Sequence, residues 1–129
     1  MEQRMVYVVD DDQAVRDSLA FVLDCFGYRC ELFADPVRFL EQADSLVPGC
    51  LIVDYRMPGL TGFDLITALR GRIDWPALLM TSENGPALES RARDKGFAGY
   101  LRKPVRAPDL IDALVAAFAT LEAPGSDAG

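Results

Sequence analysis

The sequence predicts an α/β domain, five βα units built around one parallel sheet. One observation carries that prediction and a second locates its chemistry. Short apolar runs alternate with helix-patterned segments five times along 129 residues. Strands separated by helices belong to parallel sheets covered on both faces. Four of the runs end at a polar group suited to metal or phosphate chemistry: Asp10-Asp11-Asp12, Asp54, Thr81-Ser82 and Lys103.

Taken in order, Met5 to Val9 reads as a first strand. Residues 13–26 read as a helix, with Val15, Leu19, Val22 and Phe26 at helical spacing and Gly27 suited to its C-terminal cap. Arg29–Phe33 alternates polar and apolar residues, the pattern of an edge strand. Residues 36–46 form the next helix, with Asp35 as N-cap and Pro36 at the first position. The continuous apolar run 50–53 suits a strand buried on both faces. Gly62–Leu69 is helical, 77–80 is a buried strand, and 86–95 is a polar helix stopped by Gly96. Residues 99–101 form a short strand and 108–121 a last helix. The Pro/Gly/Ser/Asp-rich tail 123–129 has the composition of a disordered segment.

Right-handed crossovers leave few topologies for five such units. The flavodoxin-like order 2-1-3-4-5, a three-layer sandwich, puts the alternating second strand at an edge and the first and third strands inside. Ligands of such sheets bind beyond the carboxyl ends of the strands, at the switch point between strands 1 and 3. Those ends carry Asp10-Asp11 and Asp54. Pattern and topology select the same place.

Composition narrows the possibilities. A chain of 129 residues, half of them apolar, buries roughly two-thirds of its unfolded surface and needs no covalent staples. Its net charge of −7 argues against direct nucleic-acid binding, which needs clustered Lys and Arg. No stretch reads as a membrane span or signal peptide. Cys25, Cys30 and Cys50 are scattered and odd in number, which suits a reducing, cytoplasmic compartment. There is no histidine, so the chain lacks the usual general base and cannot itself carry a phosphohistidine.

Several carboxylates at one sheet edge repel, and a cation is expected among them. Oxygen ligands without Cys or His select a hard ion, and Mg2+ fits best. Lys103 offers a point charge and Thr81 a hydroxyl to phosphoryl oxygens. A carboxylate, a metal, a lysine and a hydroxyl around one point describe a phosphoryl-transfer site, in which a carboxylate can be the nucleophile. Each group alone has a plainer reading. The three aspartates could cap a helix, Asp54 before Pro58-Gly59 could belong to a turn, Lys103 could be a solvated surface lysine, and Tyr100 could be sheet-edge packing.

Over residues 5 to 121 the chain resembles the receiver domains of two-component response regulators, the CheY-like superfamily. The resemblance rests on Val8-Val9-Asp10-Asp11-Asp12, on Asp54-Tyr55-Arg56-Met57-Pro58-Gly59 with Gly62, on Met80-Thr81-Ser82 and on Lys103-Pro104. Its wording is most similar to receivers that precede a helix-turn-helix output domain. The resemblance implies a receiver domain over residues 1–122 in which Asp54 accepts a phosphoryl group from the phosphohistidine of a sensor kinase or phosphotransfer protein. It implies Mg2+ held by Asp10, Asp11, Asp54 and the backbone carbonyl of Arg56, phosphoryl oxygens bound by Thr81 and Lys103, and a cis Lys103-Pro104 bond. Thr81 and Tyr100 would carry the switch to a face made by helix 4, strand 5 and helix 5. Such a chain is not an enzyme toward other molecules; it catalyses only its own phosphorylation and dephosphorylation.

Arg56 and Glu83 flank the site, two residues after Asp54 and two after Thr81. They are expected to tune loss of phosphate by obstructing or orienting the attacking water, as an ion pair. Asp12 stands where such receivers often carry Glu and reads as a helix N-cap. Helix 4 is unusually polar, while helix 5 is apolar almost all round, which points to a second covered stripe and a homodimer through the helix 4/strand 5/helix 5 face. The start at Met1 and the short tail fit a stand-alone regulator. The competing readings are a Mg-dependent phosphatase of the haloacid-dehalogenase type with Asp10 as nucleophile, and a flavin-binding domain. Against the first, Ala14 stands where that motif wants Thr or Val. Against the second, an acidic switch point opposes a phosphate.

Overall fold

The computed structural model describes residues 4–83 and 86–122, with side chains to residue 120. Its elements run β1 Met5–Val9, α1 Gln13–Cys25, β2 Arg29–Phe33, α2 Pro36–Gln42, β3 Cys50–Asp54, α3 Gly62–Leu69, β4 Ala77–Thr81, α4 Pro86–Asp94, β5 Gly99–Arg102 and α5 Ala107–Glu122. The strands form one sheet of order β2-β1-β3-β4-β5, and every neighbouring pair is parallel. This is the flavodoxin-like α/β fold and the strand order that the alternation predicts. The segment 123–129, expected to be a disordered tail, lies outside the described residues.

Alternate residues of the inner strands feed opposite layers, as the pleat requires. Val6, Val8, Ile52, Leu78 and Met80 pack with Leu19, Leu23, Leu110, Leu114 and Phe118 of α1 and α5. Tyr7, Val9, Leu51, Val53 and Leu79 pack with Phe39, Phe63, Leu65, Leu69 and Leu88 of α2, α3 and α4. Burying each such side chain contributes about 1.5–3 kcal/mol, so β1, β3 and β4 are the rigid centre of the domain. β2 is exposed along most of its length and lies at the edge.

Register sets the level of the polar groups. Val9 lies opposite Val53 and Asp54 opposite Met80, so Asp10 and Asp54 emerge together at the carboxyl rim. Thr81 follows one residue beyond Met80, opposite Arg102, and Lys103 comes next.

Local chemistry ends the helices. The Asp12 carboxylate accepts from the N–H of Ala14, and that of Asp35 from Val37, so both expected N-caps form. At the end of α1 the N–H of Tyr28 donates to Leu23 O and that of Gly27 to Asp24 O, with Gly27 at φ +84°. This is the Schellman arrangement, which needs a left-handed residue after the cap. It corrects the expected helix face. Phe26 is the cap residue, turned outward and 56% exposed, and Tyr28 packs instead, stacked 5.9 Å from Phe118.

The helix expected over 36–46 also ends early. After Gln42 it tightens into a 3-10 turn, Ala43–Ser45, and Leu46 is extended. The chain must then enter β3 beside β1. A Cβ on Gly49 would lie 2.3 Å from the carbonyl oxygen of Met5, so only glycine passes there.

α4 buries just Leu88 and Ala92, in keeping with its polar sequence. In α5 the buried stripe is Leu110, Leu114, Ala117 and Phe118, while Val115 is 56% exposed. No described helix is long and apolar enough to cross a membrane. Cys25 is exposed, Cys30 half-buried and Cys50 buried, and burial pushes the Cys50 thiol up to about 12.

Candidate functional site

The site forms where β1, β3, β4 and the segment after β5 end together. Asp10 is fully buried, an expensive position for a carboxylate, and the backbone is fastened around it. Its N–H donates to Phe33 O at 3.0 Å, and its carbonyl accepts from Arg16 Nη1 at 2.8 Å. Its Oδ1 accepts from the N–H of Asp12 at 2.8 Å. Its Oδ2 lies 2.8 Å from Lys103 Nζ, an ion pair without hydrogen-bond alignment, so this buried oxygen has no hydrogen-bond partner.

Asp54 closes β3 and is 6% exposed. Its Oδ1 lies 3.1 Å from Lys103 Nζ. Burial raises the Asp54 pKa, the neighbouring Asp10 charge raises it further, and Lys103 opposes both. Burial alone would lower the Lys103 pKa. The Asp10 and Asp54 charges more than offset that, and it stays raised and cationic. The backbone N–H of Lys103 donates to Thr81 O at 2.8 Å, and the Lys103-Pro104 bond is cis.

Asp11 is exposed at the mouth. Carboxylate oxygens of Asp10, Asp11 and Asp54 lie within 4.8 Å of one another. Two acids sharing one lysine, with a third beside them, leave the pocket short of positive charge. This all-oxygen set fits a hard divalent cation. Neither thiol nor imidazole is present to favour a softer one.

Thr81 is buried, and its hydroxyl accepts from the N–H of Glu83 at 2.9 Å. Tyr100 is half-buried, and its hydroxyl donates to the carbonyl of Glu83 at 3.0 Å. The Glu83 carboxylate pairs with the Arg56 guanidinium, so these two residues meet across the rim as the sequence suggests. The structure therefore brings Asp10, Asp11, Asp54 and Lys103 into one cluster, with Thr81, Glu83, Arg56 and Tyr100 linked beside it.

Two supporting roles escape the sequence reading, one of them at Gly62, which the motif includes without a reason. Arg16 reaches back one turn to the Asp10 carbonyl, and its place after the Asp12 cap is the signal that could have found it. The other is at Gly62. A Cβ there would lie 2.9 Å from Asp54 O and 2.9 Å from Leu79 Cδ1. The N–H of Gly62 donates to Tyr55 O at 2.8 Å, and Thr61 and Asp64 form a reciprocal capping box behind it. Gly62 thus lets α3 begin directly against β3, with the loop carrying Arg56 between them.

A doubly wound sheet with an acidic, lysine-bridged pocket at its switch point defines the class as a flavodoxin-like α/β domain. Comparison with known proteins makes the class specific. The model of the response regulator receiver domain family matches residues 6–115, and the chain belongs to that family. It is 40% identical over 100 residues to the transcriptional regulatory protein FixJ of Bradyrhizobium diazoefficiens, covering 77% of this chain and 49% of that protein. It is 35% identical over 115 residues to the transcriptional regulatory protein TdiR of Thauera aromatica, covering 88% and 51%. The crystal structure of full-length FixJ from B. japonicum superimposes with a TM-score of 0.89 at 34% identity, covering 98% of this chain and 63% of that one. The chain spans about half the length of these curated relatives.

The raised Asp54 pKa has a stability consequence. An acid whose folded pKa exceeds its unfolded value favours folding in its protonated form, and that contribution is lost as pH rises through the folded pKa. In the absence of divalent ions, Asp54→Asn should therefore raise the urea midpoint at pH 7. The gain should shrink as the pH falls into the carboxylate range. Urea denaturation of both proteins from pH 4 to pH 8 measures it.

Proposed function

We propose that this receiver domain is the phosphoacceptor of a two-component pathway, with Asp54 as the acceptor. The observation that carries the reading is the shared lysine. Nζ of Lys103 sits 2.8 Å from Asp10 and 3.1 Å from Asp54, so a fixed charge faces the place where a phosphoryl oxygen would lie. An oxygen of the Asp54 carboxylate attacks phosphorus. The P–N bond to the histidine of a sensor kinase or phosphotransfer partner breaks, and the imidazole leaves with the electron pair and takes a proton. Lys103 neutralises charge on the transferred group, and the Thr81 hydroxyl donates to another of its oxygens. Asp10, Asp11, Asp54 and the backbone carbonyl of Arg56 would hold Mg2+, which when bound supplies positive charge to the same oxygens.

The phosphoryl group then biases Thr81 and Tyr100, and through them the face formed by α4, β5 and α5. The partly exposed Ile111 and the exposed Val115 of α5 support a homodimer contact near that face. With a net charge of −7, the domain itself leaves nucleic acid alone. It turns over no other substrate; its chemistry is limited to gaining and losing its own phosphoryl group. Asp10 is a poor alternative nucleophile: it is 0% exposed, one oxygen is bound by Asp12, and the other faces Lys103.

Incubation with Mg2+ and acetyl phosphate should give one phosphoryl adduct at Asp54, located by peptide mass spectrometry. Asp54→Asn should abolish it. Turnover of a phosphoester that survives Asp54→Asn but is lost in Asp10→Asn would establish the phosphatase reading instead.

The Arg56–Glu83 pair joins the loop after β3 to the segment after β4, and on this reading it tunes loss of phosphate by obstructing or orienting the attacking water. Alanine at either position should speed loss of phosphate at least about twofold, in line with the worth of an exposed ion pair. A chase of the phosphorylated protein after removal of donor reads the rate, and an unchanged rate in both variants removes the pair from the account.

A further inference from the structure

Glu83 is bonded through three separate groups to three other residues. Its N–H donates to Thr81 Oγ1, its carbonyl accepts from the Tyr100 hydroxyl, and its carboxylate pairs with Arg56. The first two contacts lie on the switch that the proposed function assigns to Thr81 and Tyr100, and on that reading the present inference rests. The third leads elsewhere, to the loop between β3 and α3.

That loop is the fixed side of the pair. Arg56 bridges Thr61 in a short antiparallel pairing, and Thr61 is tied into the capping box of α3. The Arg56 guanidinium lies 5.4 Å from the centre of the Tyr55 ring, and Tyr55 packs edge-on against Phe63 of the core at 5.0 Å. Arg56 is therefore held in both backbone and side chain, although its side chain is 73% exposed. A restrained guanidinium loses less rotamer freedom on pairing, which favours this ion pair over a typical surface one. Glu83 stands on the segment after β4, the segment whose carbonyl receives Tyr100.

We propose that the Arg56–Glu83 ion pair is a latch that holds the Glu83 carbonyl in reach of Tyr100 and so biases the ring inward before any phosphoryl group is present. Arg56 is then a positioning residue for the switch, acting through Glu83 and distinct from its effect on water at Asp54. The latch sets the resting balance between the two states of Tyr100, and the phosphoryl group adds to a bias already built in.

The test uses the full unphosphorylated chain, so it is independent of which residue accepts phosphate. The ratio of inward to outward Tyr100 is read from side-chain couplings by NMR, with the ring assigned through Tyr100→Phe. Arg56→Ala and Glu83→Gln should each lower the inward ratio by about two- to fivefold, the range of exposed ion pairs. The double variant should fall no further than either alone. The charge reversals Arg56→Glu and Glu83→Arg should each lower the ratio, and combining them should recover most of it. An inward ratio unchanged by the single substitutions overturns the latch, as does a charge-swapped pair no better than its single reversals. If Asp54 fails to label with acetyl phosphate while these ratios behave as expected, the acceptor assignment fails and the latch stands.

Discussion

Everything in this domain is arranged around a shortage of positive charge at one rim of the sheet. Asp10 and Asp54 share the single ammonium of Lys103, and Asp11 adds a third carboxylate at the mouth. Buried like charges of this kind persist only when the surrounding backbone holds them, because each costs several kcal/mol to desolvate. The fold supplies that hold through β1 and β3. Their apolar runs are sealed on both faces, and their parallel register delivers the two acids at one level.

The supporting contacts belong to the same constraint. Arg16 and the N–H of Asp12 fasten Asp10 from one side, and the bond from Lys103 N–H to Thr81 O fastens the lysine from the other. Gly62 allows α3 to begin against Asp54, and the loop so formed carries Arg56 to Glu83. A change of charge at Asp54 would therefore meet a network already joined, through Thr81 and Glu83, to Tyr100 on the outer strand β5. Membership of the receiver family and the geometry of the pocket point the same way, although the relatives are about twice as long as this chain.

Most of the fold was legible because the informative residues repeat a simple pattern. Continuous apolar runs mark β1, β3 and β4, and the alternating Arg29–Phe33 marks the edge. Asp10, Asp54, Thr81 and Lys103 were legible as a site because each stands at the end of a strand, where topology alone brings them together. Less visible were features decided by contacts distant in sequence. Phe26 fits the helical spacing of α1, but the Schellman turn at Gly27 swings it out and admits Tyr28 against Phe118. The early end of α2 in a 3-10 turn and the close passage of Gly49 beside Met5 are likewise settled by packing that local propensity does not express. The role of Gly62 depends on which backbone carbonyl it meets, which no spacing rule encodes, and that of Arg16 shows only once its place after the Asp12 cap is read together with the Asp10 carbonyl.

The most direct test of the charge shortage is the thermal midpoint of the protein as Mg2+ is titrated. A cation that binds only the folded state stabilises it by about 2.7 kcal/mol at a hundredfold excess over its Kd. The wild-type midpoint should therefore climb steadily with Mg2+, and the climb should be largely lost in Asp10→Asn, which removes the charge of the buried carboxylate. A wild-type midpoint indifferent to Mg2+, or an equal climb in the variant, would contradict the account.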